Sequence, residues 1–103
     1  MIKDENLTKI KEVIKNIFPD SRVILFGSRS KEKYDRQSDY DILVIVKQNL
    51  TIKEKRQYAS VIRRQLAEIP IDVIVKTEED IIYYQDKIGS VTREAVLEGV
   101  SLW

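Results

Sequence analysis

The chain has 103 residues and a nearly balanced charge, with 18 lysines and arginines against 17 aspartates and glutamates. A chain of this length forms one domain, which we expect to span residues 1–103. Histidine and cysteine are both absent, which excludes Ser-His-Asp and Cys-His catalysis, zinc bound by histidine or thiolate, and disulfides. Catalysis in this chain must therefore rest on carboxylates, cations, hydroxyls and hard metal ions.

Composition also bears on partners and location. The near-neutral charge disfavours nucleic acid, because non-specific binding to its backbone needs a strongly basic surface. No apolar run approaches the roughly 20 residues that span a bilayer, and the first residues lack the apolar block of a signal peptide. We therefore expect a cytoplasmic protein without a membrane segment.

The spacing of apolar residues and the helix and turn signals predict the elements of the fold. In chain order these are a helix over 4–17, a strand over 22–26, a helical turn and loop over 29–38, a strand over 40–46, a helix from Thr51 to near Glu68, a strand over 71–75, a helix from Thr77 through Tyr84, a helix over 90–98, and a tail or short strand over 100–103. This alternation predicts an α/β fold in which helices pack on a small mixed sheet of three or four strands. The strand over 40–46 is apolar on both faces and is expected to be central.

The first candidate site feature is a turn at the end of the first strand, where Gly27 and Ser28 follow Phe26. A glycine lets backbone amides approach a ligand closely, and amides at the start of a helical turn attract anions. The pattern is typical of a phosphate-binding turn, although by itself it also fits a simple turn.

Two aspartates flank Tyr40 where the second strand begins. Residues two apart on an extended chain point to the same side, so the carboxylates of Asp39 and Asp41 project together. Adjacent carboxylates repel each other unless a cation lies between them, and oxygen ligands suit Mg²⁺ or Mn²⁺. The structural alternative is a solvated pair or a helix cap.

A third carboxylate, Asp72, lies among apolar residues in the strand over 71–75. If the strand is buried, this charge needs a partner, because an unpaired buried carboxylate costs several kcal/mol or more. A metal shared with Asp39 and Asp41 would supply one, whereas an edge strand would leave Asp72 solvated. A phosphate-binding turn and three convergent carboxylates together indicate metal-dependent phosphoryl or nucleotidyl transfer, in which two metal ions clamp the attacking and leaving oxygens.

Residues 25–46, LFGSRSKEKYDRQSDYDILVIV, resemble the signature of the DNA polymerase beta-like nucleotidyltransferase superfamily. In that superfamily a Gly-Ser turn precedes Asp-x-Asp, and a third carboxylate lies on a later strand. The short chain and the form SDYDIL at residues 38–43 are similar to the minimal nucleotidyltransferase (MNT) branch.

The resemblance implies the nucleotidyltransferase fold, with ATP as the nucleotide substrate and Mg²⁺, in two ions, as the metal. It implies that Asp39 and Asp41 are catalytic carboxylates that ligate the metals, and that Asp72 is the third catalytic carboxylate, either a metal ligand or the base for the acceptor hydroxyl. It also implies that Gly27 and Ser28 contact the phosphates, while Arg29 either reaches a phosphate or lies solvated.

Members of this size are often encoded beside a HEPN-domain protein, and the pair forms a toxin–antitoxin module. The resemblance therefore implies a HEPN-domain partner and an antitoxin that transfers AMP to a tyrosine of the toxin. It leaves open a homo-oligomer, and also a small-molecule or RNA acceptor, which the short chain and its near-neutral charge disfavour.

One departure separates this chain from the family pattern. Members commonly have a second glycine shortly after the serine, whereas residues 27–32 here read GSRSKE. The alternative function is thus a catalytically weak antitoxin that neutralises its partner by forming a complex. The aromatic residues Tyr83, Tyr84 and Trp103 then become candidate contact residues, although core packing is the favoured interpretation for at least one of them.

Overall fold

The computed structural model describes residues 4–30 and 39–103. Its elements are α1 (Glu5–Ile17), β1 (Arg22–Phe26), β2 (Tyr40–Val46), α2 (Ile52–Gln65), β3 (Ile71–Thr77), α3 (Glu78–Tyr84), α4 (Val91–Glu98) and β4 (Val100–Ser101). The strands form one sheet in the order β3-β2-β1-β4. β2 runs parallel to β3 and antiparallel to β1, which is antiparallel to β4. The predicted α/β fold with a small mixed sheet is confirmed.

The predicted helices over 4–17 and 90–98 begin one residue later, at Glu5 and Val91, and the ends of α2 and β3 differ by more. α2 ends at Gln65 rather than near Glu68, because the Leu66 N–H is shared between the carbonyls of Ile62 and Arg63 at 3.1 and 3.2 Å and the chain leaves the helix there. β3 continues to Thr77, two residues beyond the predicted strand. Residues 28–30 form a 3₁₀ turn, and the rest of the loop predicted over 29–38 lies outside the described residues.

Short polar side chains begin each helix by accepting hydrogen bonds from backbone amides, which otherwise have no partner in the first turn. Thr51 and Glu54 form the predicted capping box of α2. Thr77 and Asp80 form a second box at α3, with the Thr77 N–H donating to Asp80 Oδ2 at 2.9 Å. At α1 the cap is Asp4.

The sheet is covered on both faces. On one face, α1 and α2 pack over alternate residues of β1, β2 and β3; the buried set includes Ile10, Ile14, Val23, Leu25, Ile42, Val44, Ile62, Val73 and Val75. On the other face, Ala95 of α4 packs with Ile24, Leu43 and Ile45. β2 is buried and central as predicted, since it lies between β1 and β3.

The end of the chain folds back over the first face. Trp103 packs against the cluster under α1, and its indole Nε1–H donates to the Ser21 carbonyl at 2.7 Å. Core packing is therefore the correct interpretation for this aromatic residue. None of the helices within residues 4–30 and 39–103 is long and apolar enough to cross a membrane.

Candidate active site

One row of paired residues crosses three strands at the same end of the sheet. Phe26, the last residue of β1, pairs with Asp41 of β2, and Asp41 pairs with Asp72 of β3. Gly27 follows directly after Phe26. The row therefore brings the predicted turn together with two of the three predicted carboxylates.

Gly27 is required at its position for two reasons. Its φ is +70°, in the left-handed region that residues with a Cβ rarely adopt. A Cβ added there would also overlap Oδ2 of Asp41 and lie 3.0 Å from its Cγ. The lack of a side chain thus lets the turn lie directly against the Asp41 carboxylate.

The turn is closed by Ser30. Its hydroxyl donates to the Gly27 carbonyl at 2.7 Å, and its backbone N–H donates to the same oxygen at 3.2 Å. Ser28 begins the 3₁₀ turn and Arg29 follows it. Glu32 stands where a second glycine is common in the family, and it lies outside the described residues. The effect of that departure on the loop therefore stays a prediction.

The carboxylates interact electrostatically. Burial raises the pKa of Asp41, and the charges of Asp72 and Asp39 raise it further. Asp39 is exposed and lies one residue before β2, and its charge is one of the two that act on Asp41. A cation between these groups would favour the charged form of Asp41.

The donor set suits a hard divalent cation, since it consists of carboxylate oxygens only. As the side chains lie, however, no three acidic groups in the described part of the chain are arranged to hold a metal ion. Three adjacent carboxylates repel one another unless a cation neutralises them. The residues thus fit Mg²⁺ in chemistry and need side-chain adjustment to bind it.

Of the two alternatives for Asp72, the edge-strand position is confirmed and the buried one is wrong. β3 is an edge strand of the sheet, and Asp72 is exposed. The apolar residues around it are explained by α2, which covers Val73 and Val75 on one face. Asp72 therefore needs no partner to offset its burial, and what links it to the site is its pairing with Asp41.

Tyr40 is a site residue that the sequence analysis missed. Its hydroxyl donates to Asp4 Oδ2 at 2.8 Å and accepts from Arg29 Nη1 at 3.0 Å. The Arg29 guanidinium carbon lies 4.1 Å from the centre of the Tyr40 ring. Burial is the main cause that raises the pKa of Tyr40. The one available signal was alternation, which turns Tyr40 to the face opposite Asp41.

Arg29 is not simply solvated, because it stacks on Tyr40 on the α1 side of β2. Its contact with a phosphate stays a prediction. Through Tyr40, Arg29 is connected to Asp4, the N-cap of α1. Hydrogen bonds through Tyr40 thus connect the turn after β1 to the start of α1.

A cleft of about 230 Å³ opens beside the turn. Its lining residues come from the end of β1, the turn and α4: Phe26, Gly27, Ser30, Val91, Glu94, Ala95 and Glu98. The cleft is apolar at Phe26, Val91 and Ala95 and carries two glutamates. A ligand held by the turn would have this cleft as a neighbour.

The fold, with a glycine turn and paired aspartates at one end of a mixed sheet, is that of a nucleotide-transfer domain. The family model described as "Nucleotidyltransferase domain" matches residues 7–98. The chain therefore belongs to the nucleotidyltransferase domain family.

A Methanocaldococcus jannaschii protein, MJ0141, named as a candidate protein adenylyltransferase, is 40% identical over 62 residues, which are 58% of this chain. The match spans 63% of the length of that relative.

Several solved structures have the same fold. One is a toxin–antitoxin complex with AMP-PNP, and one of its chains is 24% identical to this chain with a TM-score of 0.62. The match covers 95% of this chain and 73% of the other. Another is the tri-AMPylated Shewanella oneidensis HEPN toxin in complex with its MNT antitoxin, at 22% identity and a TM-score of 0.59, over 96% of this chain and 70% of the other. A candidate nucleotidyltransferase from Sulfolobus solfataricus gives 22% identity and a TM-score of 0.58, over 96% and 80% of the two chains. At these identities the likeness shows the fold, and the family match over residues 7–98 confirms the predicted resemblance to nucleotidyltransferases.

Proposed function

We propose that this chain transfers AMP from ATP to a hydroxyl of a partner protein, in a reaction that depends on Mg²⁺. The observation that carries the proposal is the row formed by Phe26, Asp41 and Asp72, with Gly27 lying against the Asp41 carboxylate. A phosphate held at the turn would lie next to that carboxylate. Binding and charge neutralisation of phosphates at one point are what nucleotidyl transfer requires.

The nucleotide is held from the β1 side of the row. Backbone amides after Gly27, together with Ser28, bind the β- and γ-phosphates, since amides at the start of a helical turn attract anions. Arg29 adds positive charge beside the turn and is kept in place by Tyr40. The nucleoside part occupies the cleft between Phe26 and α4.

Asp39 and Asp41 are the residues that would hold the metal, in two ions, with Mn²⁺ as an alternative to Mg²⁺, while Asp72 is left to act as the base for the acceptor hydroxyl. The raised pKa of Asp41, due to burial and the neighbouring Asp72 and Asp39, supports this role because a cation would relieve that repulsion. When bound, Mg²⁺ neutralises phosphate charge and polarises the reacting phosphoryl group.

The reaction is an in-line displacement at the α-phosphorus. The acceptor oxygen forms a bond to that phosphorus, the bond to the bridging oxygen breaks, and pyrophosphate leaves with it. The proton of the acceptor hydroxyl passes to Asp72, which is exposed on the edge strand and so is open to an incoming protein. This assigns Asp72 as the general base of the step.

We propose a tyrosine of a HEPN-domain toxin as the acceptor, which makes this chain an antitoxin. Support comes from the solved complex of a tri-AMPylated HEPN toxin with an MNT antitoxin and from the complex with AMP-PNP. The name of the Methanocaldococcus jannaschii relative supports protein adenylylation in the same way.

The second candidate is an antitoxin that acts by binding alone. The observation in its favour is a group of exposed apolar side chains on α3, α4 and the segment between them: Ile82 (64% exposed), Tyr83 (57%), Ile88 (89%) and Leu97 (64%). Exposed apolar patches mark protein–protein surfaces. This surface fits a toxin whether or not AMP is transferred.

A toxin-neutralisation assay separates the two candidates. Asp39→Asn plus Asp41→Asn is compared with wild type for complex formation and for loss of toxin activity. Transfer predicts that the variant still binds the toxin but no longer neutralises it. Neutralisation by the variant at wild-type level would establish the binding mode instead.

A further inference from the structure

A groove runs along the outer edge of β3. β3 is the end strand of the sheet, and among residues 4–30 and 39–103 only β2 pairs with it. The groove has a volume of about 470 Å³, and the consecutive residues Val73 to Lys76 line it. It therefore begins directly after Asp72.

The backbone at this edge has hydrogen-bonding groups that face away from the sheet. Tyr40 pairs with Ile71, and its N–H donates to the Pro70 carbonyl at 2.8 Å. The Pro70 carbonyl therefore faces β2, and along β3 every second residue after Pro70 does the same. The residues between them, Val73 and Val75 among these, turn their N–H and C=O groups away from β2. Such an edge is a template for an added strand.

The two walls of the groove come from helices. One stripe of α2 forms the first wall, at the spacing that brings helical residues to the same side: Ile52, Lys55, Arg56, Ala59 and Arg63. Asp80 and Tyr84 of α3 form the second. An extended peptide at the edge would have side chains against both walls.

The groove is strongly positive although the whole chain carries only +1. Its lining has four cations, Lys55, Arg56, Arg63 and Lys76, against the single carboxylate Asp80. That carboxylate is already paired with Lys55 at 2.7 Å. Within the described part of the chain, Arg56 and Arg63 form no ion pair. The groove therefore matches a negatively charged ligand.

We propose that this groove binds an extended, acidic segment of the acceptor protein, which adds to the sheet beside β3 and carries the acceptor hydroxyl. A nucleic-acid backbone would match the cations but would not pair with the outward N–H and C=O groups of Val73 and Val75. A strand added there lies about 5 Å from β3, so that one of its side chains lies next to Asp72. The inference rests on the proposed function, and it names the class of acceptor.

The chemical step is the in-line displacement at the α-phosphorus of ATP. The tyrosine oxygen of the bound segment forms the bond to the α-phosphorus, pyrophosphate leaves, and the phenolic proton passes to Asp72. The contribution of the groove is to bind the segment and to align its hydroxyl, which affects KM for the acceptor more than kcat.

The test uses a fluorescent synthetic peptide with one tyrosine flanked by alternating aspartate and valine. Binding is measured by fluorescence anisotropy without ATP, and transfer is measured as label from α-³²P-ATP. We expect Arg56→Glu and Arg63→Glu each to weaken binding about tenfold or more, because like charges would then face each other. Their KM for the peptide should rise by a similar factor. N-methylation of alternate peptide amides should abolish binding, since it removes the donors to the β3 edge.

Arg64→Glu is the matched control, because Arg64 is exposed on the same helix and does not line the groove. It should change binding less than twofold. An equal loss in Arg64→Glu, unchanged binding of the N-methylated peptide, or tighter and Arg63-dependent binding of a single-stranded RNA oligonucleotide would overturn the proposal. Peptide binding without transfer to any acceptor would support the groove and contradict the proposed function.

Discussion

Asp41 and Asp72 are direct partners across the parallel strands β2 and β3. The pair differs in environment, because Asp41 is half-buried between two strands while Asp72 is exposed at the edge. Burial and the charges of Asp72 and Asp39 raise the pKa of Asp41. Asp41 thus lies against the Gly27 turn, and Asp72 is open to solvent at the edge of the sheet.

This repulsion predicts that Asp41→Asn stabilises the metal-free chain. The folded chain holds the Asp41 proton more tightly than the unfolded chain. Wild type therefore loses stability as pH rises from the ordinary aspartate pKa through the raised value. In EDTA at pH 7, the thermal midpoint of Asp41→Asn should exceed that of wild type, and adding Mg²⁺ should raise only the wild-type midpoint. Asp86→Asn, an exposed control, should behave like wild type; a lower midpoint for Asp41→Asn would refute the prediction.

Gly27→Ala should damage both folding and transfer. The left-handed φ costs about 1–2 kcal/mol, and the added Cβ overlaps the Asp41 carboxylate, which must then move. Gly89→Ala is the matched control, because Gly89 also has a positive φ, +86°, but nothing lies within 4 Å of its added Cβ. Urea unfolding should show a larger loss for Gly27→Ala than for Gly89→Ala, and only the former should lose transfer. Equal losses would mean that the contact with Asp41 has no importance.

Tyr40→Phe should weaken the connection between α1 and the turn after β1. It removes the hydroxyl that links Asp4 to Arg29, at a cost of about 1 kcal/mol. Because Arg29 loses a hydrogen bond that fixes it, we expect weaker AMP-PNP binding by calorimetry. Tyr58→Phe, which keeps the ring contact of Tyr58 with Phe18, is the control. Unchanged nucleotide affinity in Tyr40→Phe would show that this connection does not serve the site.

The stability contributed by Asp80 should depend on pH. Burial acts to raise its pKa, but hydrogen bonds from Lys55 and Thr77 outweigh this and hold the pKa below the ordinary value. A lowered pKa gives stability that is present above the ordinary aspartate pKa and is lost as pH falls through the folded value. Asp80→Asn should therefore be less stable than wild type by about 1 kcal/mol at pH 7, with the difference shrinking on acidification.

Urea titrations between pH 7 and pH 3 measure that difference. Glu78→Gln, an exposed carboxylate in the same helical turn, is the control and should differ little from wild type. A difference for Asp80→Asn that stays constant with pH would contradict the assignment.

Much of the fold could be predicted from local sequence signals. The capping pairs Thr51–Glu54 and Thr77–Asp80 mark helix starts through contacts three residues apart, and such contacts do not depend on the rest of the fold. The strand over 40–46 is apolar throughout because it is covered on both faces.

What could not be predicted depends on which elements become neighbours. The apolar sequence around Asp72 suggested a buried strand, yet one covering helix, α2, is enough to explain it at the edge of the sheet. The role of Tyr40 depends on Asp4 lying beside it, 36 residues away in sequence. Neither the strand order nor this long-range contact is encoded in a local pattern.

ATP labelled at single phosphates shows whether the row at Asp41 transfers a nucleotidyl group. The chain is incubated with Mg²⁺, a HEPN-domain protein from the same genome, and ATP labelled at either the α- or the γ-phosphate. We expect wild type to transfer the α-label and not the γ-label to a tyrosine of the acceptor, and Asp39→Asn plus Asp41→Asn, confirmed as folded, to transfer neither. Transfer of the γ-label, or α-label transfer that persists in the variant, would contradict this expectation.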